Sequence, residues 1–450
     1  MELKQKMEAA ALKQALAMLD KDPEENLPKL LKWAERLDPE GIGHEIRMMG
    51  PIFEGEENNW RTLLMSLWEL DAGVRRTFFE NMILNATMIG SNRQLAYRQK
   101  YKCSIPWAIL MDPTSACNLR CTGCWAAEYG HELSMSYETM DDIIRQANAF
   151  GTYMFLYTGG EPLMRKKDII RLCEAHPDCM FLAFTNGTLI DQAFCDEMLR
   201  VKNFVPAISI EGFEEATDSR RGKGTFQKCV RAMDLLRENR LLFGTSLCYT
   251  RANTESIGSE EFIDFLIEKG AKFSWIFTYI PVGVGAPTDL LVTAEQRRWM
   301  YNQIRAFRKT KPFFTMDFWN DGEYVNGCIA GGRNFLHINA AGDIEPCGFI
   351  HYSDSNIYEH TLLEAFQRPL FQAYHQSQPF SDNYLRPCPL LDNNGALAKM
   401  VHESGAHSTD YAAPEDVDEL CAKCRAAAEA WQPVADELWA AGHHVSRIRR

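Results

Sequence analysis

The 450-residue sequence lacks any apolar run of the roughly 20 residues that a membrane-spanning helix requires. Its first residues, Met-Glu-Leu-Lys-Gln-Lys, show neither the apolar segment nor the cleavage site of a secretory signal. Positive charge is also scarce, because 48 Lys and Arg face 61 Asp and Glu, for a net charge of −13. These absences argue against general nucleic-acid binding and against a transmembrane segment, and they predict a cytoplasmic protein.

The pattern of apolar residues divides the chain into three parts. Residues 1–103 carry helical spacing and predict a helical N-terminal region, with helices over residues 3–19, 26–37, 60–70 and 74–88. Residues 104–290 alternate short apolar runs with helical stretches, which is typical of βα units. Residues 291–450 lose this alternation and predict a small cysteine-rich C-terminal domain that a metal centre would stabilise.

The central part predicts an α/β fold, a partial (β/α)6 TIM-like barrel. Six apolar runs supply its strands, at residues 107–111, 153–157, 180–184, 207–210, 243–248 and 273–280. Because barrel enzymes build their sites from loops at the carboxyl ends of the strands, the motifs of interest are those that follow these runs.

Fourteen cysteines are unusual in a compartment that keeps thiols reduced unless a metal binds them. Cys117, Cys121 and Cys124 form a Cys-x3-Cys-x2-Cys loop directly after the first run. Three thiolates could hold a 4Fe-4S cluster and leave one iron open to another molecule, whereas a structural zinc ion needs a fourth ligand from elsewhere. Six other cysteines are predicted to pack in the core: Cys103, Cys173, Cys179, Cys195, Cys229 and Cys248.

Further motifs end the other predicted strands. The second run ends in Gly159-Gly160-Glu161-Pro162 and the third in Thr185-Asn186-Gly187. The fourth ends in Ser209-Ile210-Glu211, which Arg220-Arg221 follows, and the sixth ends in Tyr279-Ile280-Pro281-Val282-Gly283. With the cysteine loop and these motifs in this order, residues 105–285 resemble the radical S-adenosylmethionine (radical SAM) superfamily.

The resemblance implies a role for each motif. Cys117, Cys121 and Cys124 would hold a 4Fe-4S cluster whose open iron binds SAM. Gly159, Gly160 and Glu161 match the segment that contacts the amino group of SAM, and Arg221 matches an arginine that pairs with its carboxylate. Ser209 and Glu211 match the ribose contacts, although Glu211 stands where the family usually has Asp, and Tyr279 and Pro281 match the adenine-contacting segment.

The implied reaction is the one-electron cleavage of SAM into methionine and a 5′-deoxyadenosyl radical, which takes hydrogen from an unactivated C–H bond of a peptide, lipid or small molecule. The electron would come from a donor such as a flavodoxin or ferredoxin. An alternative is a non-catalytic iron-sulfur electron carrier or redox sensor, but that leaves the Gly-Gly-Glu-Pro motif and Arg221 without a purpose. The substrate stays open.

The last third of the chain carries five more cysteines: Cys328, Cys347, Cys388, Cys421 and Cys424. Cys328 and the Gly342-x4-Cys347 segment resemble the start of a SPASM or twitch extension, which carries auxiliary 4Fe-4S clusters in this superfamily. The later part departs from a full SPASM pattern, because its cysteine run is reduced to Cys421-x2-Cys424. We therefore expect one auxiliary cluster on Cys328, Cys347, Cys421 and Cys424, with Cys388 an alternative ligand or a nearby thiol. A four-cysteine zinc site is the competing interpretation.

Overall fold

The computed structural model describes residues 58–442 and, ahead of them, residues 14, 17–26 and 29. The helices predicted over residues 3–19 and 26–37 lie mostly outside the described residues. Within the described part, no helix is both long and apolar enough to span a membrane.

In the continuously described part from residue 58 onward, three helices precede the first strand: α1 (Asn59–Ser66), α2 (Ala72–Phe79) and α3 (Ser91–Tyr101). A 3-10 turn over Leu67–Glu69 extends α1, and a π-helical segment over Glu80–Gly90 joins α2 to α3. The π-helical segment is attached to the barrel by Asn81, whose side-chain amide donates to the carbonyl of Cys179 at 2.8 Å.

A single nine-stranded sheet forms the centre of the molecule and curls into a half-barrel. Its strands are β1 (Ala108–Met111), β2 (Met154–Tyr157), β3 (Met180–Thr185), β4 (Phe204–Ser209), β5 (Gly244–Tyr249), β6 (Phe273–Thr278), β7 (Phe314–Asp317), β8 (Phe335–Ile338) and β9 (Ile344–Glu345). The order across the sheet is β7-β6-β5-β4-β3-β2-β1-β8-β9, and every pairing is parallel except β8 with β9. The predicted α/β partial barrel is confirmed.

The sheet extends beyond the six strands that the sequence predicted. Strands β7, β8 and β9 come from residues after 290, and β8 pairs with β1 so that Leu110 lies beside His337. The sheet therefore crosses the domain boundary predicted at residue 290. Sequence patterns miss these strands because β7 and β8 are interrupted by polar residues such as Thr315 and His337, and β9 has only two residues.

Helices connect the strands and cover the sheet. They are α4 (Tyr137–Phe150), α5 (Lys166–Ala175), α6 (Gln192–Val201), α7 (Glu214–Arg221), α8 (Thr225–Glu238), α9 (Thr254–Ile257), α10 (Glu260–Glu268), α11 (Ala294–Thr310), α12 (Gly322–Val325), α13 (Leu362–Phe366), α14 (Pro369–Ser377), α15 (Ala396–Ser404) and α16 (Val417–Ala441). Polar side chains begin several of them, as Ser136 does for α4 and Ser259 for α10, each accepting a backbone N–H of the first turn. A small antiparallel pair joins β10 (Tyr352–Ser353) to β11 (His407–Ser408).

Candidate cofactor site

The first cysteine loop follows β1 and packs against the glycines that follow β2. The amide of Gly160 donates to the carbonyl of Thr114 at 3.0 Å, and the amide of Glu161 donates to the carbonyl of Ala116 at 2.8 Å. A Cβ at Gly160 would lie 2.1 Å from the carbonyl oxygen of Ala116. Glycine is therefore required here by the close approach of two backbones.

Glu161 connects the ends of β2 and β3. Its buried carboxylate accepts the hydroxyl of Thr185 at 2.7 Å, the amide of Asn186 at 2.8 Å and the amide of Leu163 at 2.9 Å. Burial raises the pKa of Glu161, and the three hydrogen bonds oppose that shift. The carboxylate thus fixes the Gly-Gly-Glu-Pro turn to the Thr-Asn-Gly turn.

Two arginines share the carboxylate of Glu211, which is fully buried. One oxygen accepts Arg220 at 2.5 Å and both Nε and Nη2 of Arg221, at 2.7 and 2.5 Å. The second oxygen accepts the amide of Cys248 at 3.2 Å. Two cations beside one anion leave a surplus positive charge, and Arg221 Nη1 lies 3.9 Å from the sulfur of Cys121.

Burial raises the pKa of Cys117 to about 11, and Glu161, Cys121 and Cys124 push it further in that direction, while the amide of Leu119 donates to its sulfur at 3.4 Å. Burial also raises the pKa of Cys121, which Arg221 opposes. Without a metal these thiols keep their protons, and a bound metal would displace them.

The donor set around this loop suits an iron-sulfur cluster. The three thiols influence one another electrostatically, and the surplus positive charge of Arg220 and Arg221 suits the anionic sulfurs of a cluster. In the described ranges no three His, Cys, Asp or Glu side chains meet closely enough to hold a single metal ion. A 4Fe-4S cluster spreads its thiolates over separate iron atoms, so its ligands stand further apart than those of one ion.

The segment after β6 closes over the same loop. A Cβ at Gly123, whose φ is +65°, would lie 2.7 Å from the ring of Tyr279. The hydroxyl of Tyr279 is buried and has no hydrogen-bond partner within the described part of the chain. From the other side, the amide of Thr122 donates to the carbonyl of Arg220 at 2.9 Å.

Ser209 and Pro281 lie at the same edge of the sheet. Ser209 is the last residue of β4, and Pro281 follows β6 as a buried residue. Because these strands are parallel, the predicted cofactor residues Gly159, Gly160, Glu161, Ser209, Glu211, Arg221, Tyr279 and Pro281 all belong to one end of the barrel. Their contacts with SAM stay a prediction.

A buried network of charged side chains lies beside this site, and the sequence did not predict it. His337 lies between two carboxylates, with Nε2 2.9 Å from Asp112 and Nδ1 2.6 Å from Glu345, and all three side chains are fully buried. Burial alone would lower the pKa of His337, but the two carboxylates outweigh it and raise the pKa to about 10. His337 is therefore an imidazolium at neutral pH.

The network connects the two cysteine groups. Asp112 directly follows β1 and lies against Gly159, where an added Cβ would be 2.8 Å from the carboxyl carbon of Asp112. At the other end, Glu345 accepts the hydroxyl of Tyr129 at 2.8 Å and stands two residues before Cys347. The sequence gives no pattern that predicts this network, because Asp112 and His337 are 225 positions apart.

The five later cysteines gather in a second apolar cluster. Cys421 and Cys424 are buried in it, and Cys328, Cys347 and Cys388 pack against it. Burial raises the pKa of Cys347 well above its ordinary value, and the neighbouring Cys328 and Cys388 raise it further. Cys388 also neighbours Cys424, so it lies near both Cys347 and Cys424.

Backbone amides donate to the sulfurs of this second group. The amide of Leu391 lies 3.4 Å from the sulfur of Cys388, and that of Phe349 opposes the pKa rise of Cys347. Burial raises the pKa of Tyr374, whose hydroxyl has no partner among the residues described, and the thiols of Cys328, Cys347, Cys388 and Cys421 raise that pKa further. N–H donation to sulfur is typical of iron-sulfur ligands.

The fold and the site together define a class of protein. Residues 111–266 match the model of the radical SAM superfamily. The chain therefore carries a radical SAM domain over these residues, and its similarity to named enzymes supports an enzyme.

Several known proteins are similar to this chain. AdoMet-dependent heme synthase from Nitratidesulfovibrio vulgaris is 25% identical over 336 residues, which are 67% of this chain and 90% of that protein. Mycofactocin maturase MftC from Mycolicibacterium smegmatis is 29% identical over 259 residues, 54% of this chain and 64% of that protein. The fold resembles that of Streptococcus suis SuiB bound to S-adenosylmethionine, with a TM-score of 0.55, 20% identity, and coverage of 74% of this chain and 88% of SuiB.

Proposed function

We propose that Cys117, Cys121 and Cys124 hold a 4Fe-4S cluster that binds SAM, and that the enzyme removes hydrogen from a C–H bond of its substrate. When bound, these groups supply the one-electron cleavage of the sulfonium C–S bond into methionine and a 5′-deoxyadenosyl radical, with the electron from a donor such as a flavodoxin or ferredoxin. The observation that carries the proposal is the packing of Gly160, Arg221 and Tyr279 onto the three-cysteine loop.

The protein residues prepare the site for an anionic cluster and a zwitterionic ligand. Glu211 holds the guanidinium of Arg221 by two of its nitrogens and leaves Nη1 directed at Cys121. The surplus charge of Arg220 and Arg221 would stabilise thiolates and attract the carboxylate of SAM. Glu161 keeps the backbone of the glycine turn in place for the amino group of SAM.

We place the substrate on an aromatic surface inside the half-barrel. Phe184 on β3 contacts Trp275 and Phe277 on β6, with ring centroids 5.5 and 5.6 Å apart. Two strands separate β3 from β6, so these rings meet only across the inside of the curled sheet. The ring of Phe349 extends this surface, with its centroid 6.1 Å from that of Phe277. The ring of Trp125, which follows Cys124, lies 5.7 Å from that of Phe349.

This surface favours a substrate with a large apolar or aromatic portion, because partly exposed rings bury such groups favourably. The named relatives include a heme synthase and a mycofactocin maturase, and SuiB has been crystallised with a precursor peptide. A conjugated small molecule and a peptide with an aromatic side chain are therefore the first candidates, and a lipid remains the third.

For the C-terminal group we propose one auxiliary 4Fe-4S cluster. Sequence spacing favours Cys328, Cys347, Cys421 and Cys424 as its ligands. Cys388 neighbours both Cys347 and Cys424, which makes it a ligand candidate of equal rank. We therefore propose that four of these five thiols bind the cluster. Bound there, a cluster would accept or pass on an electron during substrate oxidation.

The test is anaerobic reconstitution followed by reduction with dithionite. The enzyme should bind about eight iron atoms and convert SAM to 5′-deoxyadenosine. A variant with Cys117, Cys121 and Cys124 replaced by alanine should keep about four irons and form no 5′-deoxyadenosine, whereas Cys195→Ala, remote from both groups, should behave as the parent. Filled clusters without SAM cleavage would overturn the proposal and favour the electron carrier.

A second experiment identifies the substrate. Candidate pools labelled with deuterium are incubated with SAM and the reduced enzyme, and 5′-deoxyadenosine is analysed by mass spectrometry. Transfer of label from one molecule identifies the attacked C–H bond. Transfer from an aromatic-bearing substrate should fall strongly in Phe277→Ala, which removes the centre of the aromatic surface.

A further inference from the structure

The backbone of Gly283 is held on both sides by one ion pair. Its amide donates to Glu415 at 3.0 Å, and its carbonyl accepts Lys423 Nζ at 2.7 Å. Glu415 and Lys423 also pair directly with each other. The side chains are 5% and 17% exposed, so these charge-assisted bonds form in a largely water-free environment, where they are strong.

The geometry of Gly283 favours glycine. Its φ is +96°, and an added Cβ would lie 2.1 Å from the carboxyl carbon of Glu128. Glu128 belongs to the 3-10 helix Trp125–Tyr129 that directly follows Cys124. The segment is thus enclosed between the first cysteine loop and the N-terminal end of α16.

The ion pair belongs to the second cysteine group. Lys423 stands between Cys421 and Cys424 in the first turns of α16, and Glu415 directly precedes Asp416, which caps that helix. Gly283 ends the segment that starts at Tyr279, whose ring packs on Gly123 of the first loop. One pair of side chains therefore connects the Cys421-x2-Cys424 turn to the segment that closes over the first cysteines.

We propose that Glu415 and Lys423 are positioning residues that hold the segment 279–283 in its SAM-binding conformation, and so couple the order of the auxiliary cysteine turn to SAM affinity. The inference rests on the proposed function, because it requires SAM to bind beside this segment. Coupling of two binding sites is reciprocal. Loss of the auxiliary cluster weakens SAM binding, and bound SAM slows the loss of auxiliary iron.

The test compares Lys423→Met and Glu415→Gln with the parent enzyme, all anaerobically reconstituted. Lys399→Met is the matched control, because Lys399 is an exposed lysine on α15 whose ion pair with Glu403 is also exposed to solvent. SAM affinity is measured by isothermal titration, iron by chemical analysis, and protection of the Gly283 amide by hydrogen exchange. We expect roughly tenfold weaker SAM binding in the first two variants, from the loss of a charge-assisted hydrogen bond, with iron unchanged.

The outcomes separate this inference from the proposed function. A parent enzyme with filled clusters that fails to bind SAM contradicts the proposed function itself. If the parent binds SAM and both variants bind it equally well with full iron, the coupling is wrong. Loss of iron in both variants also overturns it, because the pair would then hold the cysteines and not the segment. Faster exchange at Gly283 in Glu415→Gln, with Lys399→Met unchanged, supports it.

Discussion

His337 and Glu345 form a fully buried contact of 2.6 Å between an imidazolium and a carboxylate, inside the half-barrel and two residues before Cys347. Asp112 approaches the other ring nitrogen, so two buried carboxylates share the single positive charge of the histidine. The charge of His337 is therefore part of the structure that joins the two cysteine groups.

Replacing His337 by glutamine should lower the free energy of unfolding by roughly 3–5 kcal/mol, because it leaves two buried carboxylates without their cation. Urea unfolding of the apo protein measures this loss. His402→Gln removes an exposed histidine paired with Asp418 and should have a much smaller effect. Equal losses in both variants would show that the buried network contributes no special stability.

The raised pKa of His337 predicts that the free energy of unfolding depends on pH. Its pKa is about 10 in the folded protein and about 6.5 when unfolded, so the folded state holds its proton more tightly. The stabilisation is fully present below pH 6.5 and is lost as the pH rises towards 10. Unfolding measured from pH 6 to pH 10 should show this decline in the parent, and His337→Gln should lack its share of it.

Gly160→Ala should prevent the first cysteine loop from packing against the turn after β2, since the new methyl would overlap the carbonyl of Ala116. We expect reconstituted protein to lose about four irons and all SAM cleavage. Gly285→Ala is the control, because no atom lies within 4 Å of a Cβ there. Normal iron content in Gly160→Ala would contradict the tight packing.

Arg221→Lys should weaken SAM binding at least tenfold while iron content stays near the parent value. A lysine cannot bind the Glu211 carboxylate through two nitrogens and also approach Cys121. Titration with SAM measures the change, and Arg200→Lys, in an exposed ion pair with Glu174, should leave the affinity unaltered. Unchanged affinity in Arg221→Lys would remove Arg221 from the SAM site.

Cys388→Ala distinguishes the two ligand sets for the auxiliary cluster. If Cys388 is a ligand, the variant should retain about four irons, all at the first cysteine loop, and still cleave SAM. If it retains about eight, the set chosen from spacing, Cys328, Cys347, Cys421 and Cys424, is the correct one. Electron paramagnetic resonance of the reduced protein shows which signal is lost.

The order of motifs along the chain was enough to predict the barrel and the end at which the motifs meet. Alternating βα units produce parallel strands, and parallel strands bring their carboxyl ends to one edge, so residues after β2, β4 and β6 had to meet the cysteine loop after β1. The packing of Cys248 was predicted as core, but the structure places its amide on Glu211 beside Arg220.

Tertiary structure alone decided the long-range contacts. His337 reaches Asp112 because the four-residue strand β8 pairs with β1, and Lys423 reaches Gly283 because α16 folds back onto the segment after β6. Neither contact leaves a periodic or spaced pattern, since the partners are 225 and 140 positions apart. Local sequence determines strands, turns and ligand types, whereas the pairing of distant charges depends on which surfaces the complete fold buries together.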